Sequence, residues 1–328
     1  MKAIVQDRFG TADVLEFRDI AEPVPGPGEV RVKVRAAGCG PDVWHLMTGK
    51  PMFARITPDF RKLWKGHPRG RDVAGVVESV GEGVTDLAPG DEVMGIVEGS
   101  FAELAVGHRE KLVRKPARSS FEQAAAAPIS GLTALQALRD VARVRPGQRV
   151  LVVGAGGGVG TLAVQVAKTY GAEVTGVASG AKQQLVRSLG ADDTIDYTRE
   201  DFTDGTRRWD VIVDTAGRRP LHDLRRALTP KGVAAIVGGD GGGDWTGGFF
   251  RQILRGPLLS LATGQSFRPV ISTEGQDDLL ALADLIASDQ VTPVVDRTFT
   301  LPEAADAIRY LEQGHPSGKV VVTVGSVA

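Results

Sequence analysis

The segment RVLVVGAGGGVGTLAVQVAKTYG (149–171) runs from an apolar stretch through a glycine turn into residues at helical spacing. Val150 to Val153 suit a strand buried on both faces. Leu162, Val164, Val166 and Ala167 suit a helix that stops at Gly171. Such a turn lets backbone approach a phosphate, and the helix N-terminus offers it unpaired N–H groups. The strict G-x-G-x-x-G spacing fails, because Ala155 stands where the first glycine belongs, ahead of Gly157 and Gly160. The looser set Gly154, Gly157, Gly160 fits, with Gly158 and Val159 completing the turn. With its strand before it and its helix after it, this segment points to a dinucleotide site in preference to a plain strand-to-helix turn.

The rest of the chain must position that turn. Its 328 residues favour two domains, each with its own core. With 39 basic and 40 acidic residues the net charge is −1, which gives no reason to expect nucleic acid or an anionic membrane surface. No apolar run approaches the ~18 residues that span a bilayer, and the first residues, MKAIVQDRFG, lack a signal-peptide pattern. The single cysteine, Cys39, excludes an intrachain disulfide and any four-cysteine zinc site. A cytoplasmic enzyme acting on a small molecule is the expectation.

Residues 1 to about 122 read as mostly strand, with Val30, Val32 and Val34 alternating with Arg31, Lys33 and Arg35. Closely spaced strands of this kind suggest a Greek-key or barrel-like module. Residues 42–70 read as irregular and carry Trp44, His45, Phe53, Phe60, Trp64 and His67, a loop rich enough in aromatics to suggest a functional role. From Gln123 onward, helical segments alternate with strands at Val150–Val153, Glu173–Ala178, Thr194–Tyr197, Asp210–Asp214 and Val233–Val237, with Thr229-Pro230 expected to end a helix. That order implies an α/β fold with a doubly wound parallel sheet.

The ordered set PGPGEVRVKVRAAG (25–38), GRDVAGVVESVG (70–81), PGDEVMG (89–95), AAAAPISGLTALQAL (124–138), VLVVGAGGGVGTLAVQVAK (150–168), LGADDTIDY (189–197), VIVDTAG (211–217) and GHPSGKVVVTV (314–324) resembles the medium-chain dehydrogenase/reductase superfamily, in its zinc-free quinone oxidoreductase branch. The resemblance covers nearly the whole chain. It implies a GroES-like, mostly β catalytic domain made of residues 1–122 and 273–328, a Rossmann domain over 123–272, an active site in the cleft between them, and a homodimer.

An NAD-binding Rossmann domain carries an acid at the end of its second strand to accept from the ribose 2′-OH. Here that end reads Val177-Ala178-Ser179, with Lys182 following, which suits a 2′-phosphate. The resemblance implies that Ser179, Lys182 and Tyr197 surround that phosphate, and the expected cofactor is NADPH. It also implies that Thr133, Gly238 and Lys319 face the nicotinamide half, with Asp214 and Thr215 at the carboxyl edge of the fourth strand.

Zinc-dependent relatives carry Cys-Gly-x-Asp and Gly-His-Glu segments. Cys39-Gly-Pro-Asp42 copies the first, but Gly70-Arg71-Asp72 puts an arginine, which cannot ligate, at the histidine. Cys39, His67 and Asp72 form at best an improvised triad, so no metal is expected and Cys39 reads as a small buried hydrophobe. The asparagine of zinc-free relatives is replaced by Gly40, and no tyrosine is placed near the expected site. His45, Asp42 and Ser130 remain as polar candidates for proton delivery, in competition with solvent, and Gly40, Trp44, Phe53, Trp245 and Phe249 as a pocket for a flat acceptor. The expected function is hydride transfer from NADPH to a quinone or α,β-unsaturated carbonyl. The alternatives are a zinc-type alcohol dehydrogenase using Cys39, and a non-catalytic NADPH-binding protein.

Overall fold

The computed structural model describes residues 1–52, 55, 67–238, 255–261, 263–314 and 316–325. Phe53, Phe60, Trp64, Trp245 and Phe249 lie outside these. The chain divides into two compact units, one of Met1–Leu132 with Glu274–Ala328 and one of Thr133–Thr273.

The first unit opens with the antiparallel pair β1 (Lys2–Val5) and β2 (Glu16–Asp19). The long strand β3 (Glu29–Cys39) buries Val30, Val32 and Val34 and turns Lys33 and Arg35 outward, as alternation requires. Past Arg35 the alternation stops, and Ala36, Ala37, Gly38 and Cys39 are all buried. A side chain on Gly38 would sit 2.6 Å from the Ala125 carbonyl oxygen and 2.7 Å from Asp72 Oδ2, so only glycine fits there. Next come helix α1 (Pro41–Thr48) and strands β4 (Asp72–Val80), β5 (Glu92–Ile96), β6 (Leu104–His108) and β7 (Leu112–Arg114). Helix α1 corrects the reading of residues 42–70 as irregular throughout. Its signals are Pro41 at the first helical position and Gly49, at φ 64°, closing it with an N–H to the His45 carbonyl. Helix α2 (Phe121–Ala126) starts on a Ser120–Gln123 capping box and buries Ala124, Ala125 and Ala126 beside β3 and β4. That packing carries the first unit to Leu132, inside helix α3 (Pro128–Gln136), and not only to residue 122.

The second unit has a parallel sheet of six strands: β8 (Arg149–Val153), β9 (Glu173–Ala178), β10 (Asp193–Asp196), β11 (Trp209–Asp214), β12 (Leu228–Ile236) and β13 (Ser266–Pro269). Their order is β10-β9-β8-β11-β12-β13, so the direction of winding reverses between β8 and β11, where such sheets bind ligands. Helices α4 (Gly158–Thr169), α5 (Gln183–Ser188), α6 (Leu221–Ala227) and α7 (255–261) complete it. Thr229-Pro230 lies within β12, because the ladder to β11 jumps from Trp209–Leu228 to Val211–Val233 and leaves the proline between paired positions.

The chain then returns to the first unit with α8 (Gln276–Ala287), β14 (Val295–Thr300), α9 (Ala304–Glu312) and β15 (Lys319–Thr323). The seven-stranded sheet runs β14-β15-β3-β4-β5-β7, with β6 also on β3. Strand β15 pairs antiparallel with β3, Val320 opposite Cys39, and β4 pairs antiparallel on the other side, Val73 opposite Ala37. This register brings the end of β3 and the starts of β4 and β15 together. Cys39, Asp72 and Lys319 therefore meet.

Candidate active site

In the second unit the glycines are required by close backbone approach. Gly154 has φ 80°, and a Cβ on it would lie 2.4 Å from Thr215 Oγ1. A Cβ on Gly160 would lie 2.0 Å from the Gly154 carbonyl oxygen and 2.8 Å from Ala155 Cα. Ala155 itself is fully buried and donates its N–H to Val177. Gly157 caps α4, whose first turn leaves the N–H groups of Gly158, Val159 and Gly160 without helical acceptors. A helix start with free N–H groups and closely approaching backbone can hold an anion such as a pyrophosphate.

Ser179, Lys182 and Tyr197 gather at the carboxyl ends of β9 and β10. The Lys182 N–H donates to the Ser179 carbonyl, and the Tyr197 N–H to that of Ala178. The Lys182 stem crosses the glycine turn, 2.6 Å from where a Cβ on Gly156 would lie, and Tyr197 is 44% exposed. An ammonium and two hydroxyls at one sheet edge are groups that can hold a phosphate. A carboxylate does stand nearby: Asp196 Oδ2 lies 2.8 Å from the position of a Cβ on Gly180. Asp196 accepts from the Thr198 hydroxyl and N–H, which with Gly180 and Arg199 hold it below the usual carboxylate range. It is engaged within its own turn.

Asp214 and Thr215 serve the loop after β11. Asp214 Oδ1 accepts from the N–H groups of Ala216 and Gly217, and Thr215 Oγ1 donates to the Val153 carbonyl at 2.8 Å. A Cβ on Gly238 would press within 2.3 Å of the Thr215 carbonyl oxygen. Thr133 is buried on α3.

The first unit holds a buried charged cluster that sequence reasoning missed. Lys319 Nζ lies 2.7 Å from Asp72 Oδ2, their side chains 5% and 1% exposed, and it donates to Ser130 Oγ at 3.3 Å. Asp72 Oδ1 accepts from the Ile129 N–H. Gly318, at φ 108°, turns the chain into Lys319; a Cβ there would strike the Val294 carbonyl oxygen. Burial works against the Lys319 charge, but Asp72, Asp42 and Cys39 outweigh it and hold the ammonium above its ordinary range. Burial raises Asp72, with Lys319 opposing. A signal was present in the sequence: each of these charges opens an otherwise apolar run, DVAGVV and KVVV.

Gly40 lies against this cluster, and a larger residue there would require the ends of two neighbouring side chains to shift. A Cβ on it would lie 2.5 Å from Asp42 Oδ1 and 2.9 Å from Lys319 Nζ. Asp42 and Ser130 thus fall beside the cluster. His45 does not join it: the ring is exposed on α1, Nδ1 donates to the Lys50 carbonyl at 2.8 Å, and the ring packs edge-on to Trp44. Trp44 Nε1 donates to Glu312 Oε1 of α9, so this side chain ties two helices together.

Among the described residues no group of three or more His, Cys, Asp or Glu is placed to hold a metal ion. His67 is exposed. Arg71 bonds Glu274 and lies 3.4 Å from Glu98, while Lys111 holds the other Glu274 oxygen at 2.7 Å. Burial would raise Glu274, but Arg71 and Lys111 keep it low. Burial pushes the Cys39 thiol up to about 12; Lys319 opposes this, and Asp42 and Asp72 add to it. Native protein at pH 8 is therefore expected to show no iodoacetamide adduct at Cys39 by intact mass, and denatured protein one adduct. Rapid alkylation of the native form would contradict this burial.

Residues 26–117 match the family model for the alcohol dehydrogenase GroES-like domain, and residues 189–322 that for zinc-binding dehydrogenase. The chain is 36% identical over 339 residues to the NADPH-dependent alkenal/one oxidoreductase, chloroplastic, of Arabidopsis thaliana, covering 98% of this chain and 79% of that one. It is 34% identical over 320 residues to the pikromycin polyketide synthase component PikAII of Streptomyces venezuelae; the match takes in 93% of this chain but only 8% of that much longer protein. The structure of the quinone oxidoreductase from Coxiella burnetii superposes with a TM-score of 0.85 at 30% identity, over 99% of both chains. No helix among the described residues is long and apolar enough to cross a membrane.

Proposed function

This chain belongs to the medium-chain dehydrogenase/reductase superfamily, in its quinone oxidoreductase-like branch, and from that premise we propose that it is an NADPH-dependent reductase of α,β-unsaturated carbonyls or quinones that works without a metal. NADPH, when bound, supplies a hydride. The observation that carries the cofactor reading is Lys182 lying across the glycine turn, with Ser179 and Tyr197 at the same sheet edge. Support for metal-free chemistry comes from the donor set. Arg71 is held by two glutamates, Cys39 keeps its proton, and an ammonium already neutralises Asp72. Of the proton-delivery candidates, Asp42 and Ser130 adjoin the buried cluster, and His45 stands apart from it.

Lys182→Ala is expected to weaken NADPH binding about 10- to 100-fold, the worth of one charge-assisted bond, and NADH binding hardly at all. Titration with both nucleotides reads this, and equal losses would refute the phosphate assignment. Purified without chelator and assayed for NADPH oxidation against quinones and enones, the protein is expected to turn over with no stoichiometric zinc. Bound zinc with alcohol oxidation would favour the zinc-type dehydrogenase instead. Tight NADPH binding with no turnover would favour a binding protein. A homodimer pairing through the β13 edge of the six-stranded sheet belongs to the same proposal, and a solution mass equal to one chain would remove it.

A further inference from the structure

We propose that Lys319 acts as an internal fixed cation behind Ser130, so that the Ser130 hydroxyl donates its hydrogen to the carbonyl oxygen of the acceptor; Lys319 is then a positioning residue and Ser130 the catalytic one. The proposal rests on the reading of the chain as an enone or quinone reductase. Lys319 Nζ donates to Ser130 Oγ at 3.3 Å, which uses an oxygen lone pair and leaves the hydroxyl hydrogen to bond elsewhere. Among the described residues that hydrogen has no acceptor. Asp72 holds the ammonium at 2.7 Å and is itself held by the Ile129 N–H at 2.8 Å. Ile129 N–H, Asp72, Lys319 and Ser130 thus form one polarised chain, and Ser130 follows Ile129 directly. Ser130 is 5% exposed, so it has shed most of its water, and a donor with a cation behind it is stronger there than in solvent.

In the reaction, the acceptor's β-carbon gains the hydride, the C=C pair shifts toward the carbonyl, and the C=O pair moves onto oxygen. Ser130 holds that oxygen as its charge grows and keeps its own proton. Water then gives a proton to the α-carbon as the C=O bond re-forms. In a quinone the hydride adds to one carbonyl oxygen, the electron pairs shift through the ring to leave the charge on the other carbonyl oxygen, and water then protonates that oxygen to give the hydroquinone.

The test uses p-nitrophenolate as an oxyanion probe, titrated by absorbance against the enzyme saturated with NADP+, alongside steady-state kinetics. Ser130→Ala is expected to lower kcat about 10²- to 10³-fold, with a much smaller change in KM, and to weaken p-nitrophenolate roughly tenfold or more with NADPH affinity unchanged. Ser130→Thr, which keeps the hydroxyl, is expected to restore most of both. Lys319→Arg keeps the charge and is expected to retain more probe affinity than Lys319→Met, circular dichroism reporting whether each has folded. If the wild-type enzyme reduces enones or quinones while Ser130→Ala matches it in kcat and probe affinity, the proposal fails and the reductase reading stands. If the wild-type binds NADPH and reduces nothing, the reading itself fails.

Discussion

Lys319→Met is expected to destabilise the protein by about 3–5 kcal/mol, as removal of one partner from a buried ion pair does. The methionine fills the volume of the stem but leaves Asp72, 1% exposed, facing Asp42 with no cation between them. The penalty comes from stranding the carboxylate, because the intact pair itself contributes little beyond a well-packed apolar replacement. Lys319→Met combined with Asp72→Asn, which retains an acceptor for the Ile129 N–H, is therefore expected to recover most of the loss. The single variant should also depend on pH in a defined direction. Its Asp72 has a folded-state pKa above the unfolded value of roughly 3.9, so between those two values the folded state binds more protons than the unfolded state. Its stability then falls as pH rises, and the deficit against wild type is smaller at pH 5 than at pH 8. Urea denaturation at both values reads this. An equal deficit at the two pH values, or a double variant no better than the single, would mean that the pair is not what holds this end of the sheet.

Gly160→Ala is the second large effect. Its methyl would stand 2.0 Å from the Gly154 carbonyl oxygen, and backbone cannot yield as a side-chain tip can. The first turn of α4 must move away from β8, costing about 1–3 kcal/mol as overpacking does. The same movement re-aims the N–H groups of the helix start, which are proposed to hold a pyrophosphate. Nucleotide affinity should fall on the order of 100-fold, the worth of one or two charge-assisted bonds at about 1.5–3 kcal/mol each. Gly157→Ala supplies the contrast, since its methyl would meet only the Gly154 carbonyl oxygen, at 3.5 Å. It should leave the melting temperature nearly unchanged, and any loss of affinity it causes must come from a clash with the nucleotide itself. Equal melting temperatures for the two variants would contradict the packing described for Gly160.

The parallel sheet and its glycine turn were legible in the sequence because their determinants are local. Val150 to Val153, the turn and the start of α4 follow one another within a single stretch, and Ser179 comes directly after β9. The buried pair was not legible in the same way. Asp72 and Lys319 meet only because β4 and β15 both lie against β3, and no periodicity reports a contact of that sequence separation. Ser130 and Asp42 were named from the sequence, but for their polarity, with no sight of the ammonium between them. Helix α1 is only eight residues long and its aromatics suit a loop equally well, so Pro41 and Gly49 at its two ends are its only local signals. Trp44 in turn looked like a pocket wall because its bond to Glu312 is another long-range contact.

The division of the first unit across both ends of the chain sets an order of assembly during synthesis. Residues 133–273 are contiguous and have every strand of their sheet once they leave the ribosome. The other sheet has β3 and β4 early, but waits for β14 and β15, which are made last. At about 5–20 residues per second, Asp72 emerges on the order of ten seconds or more before Lys319. During that interval its carboxylate has no ammonium to meet and favours water over the core. Strand β15, which carries that ammonium, is also the strand that pairs with the end of β3, so the ion pair and this part of the sheet can form only together.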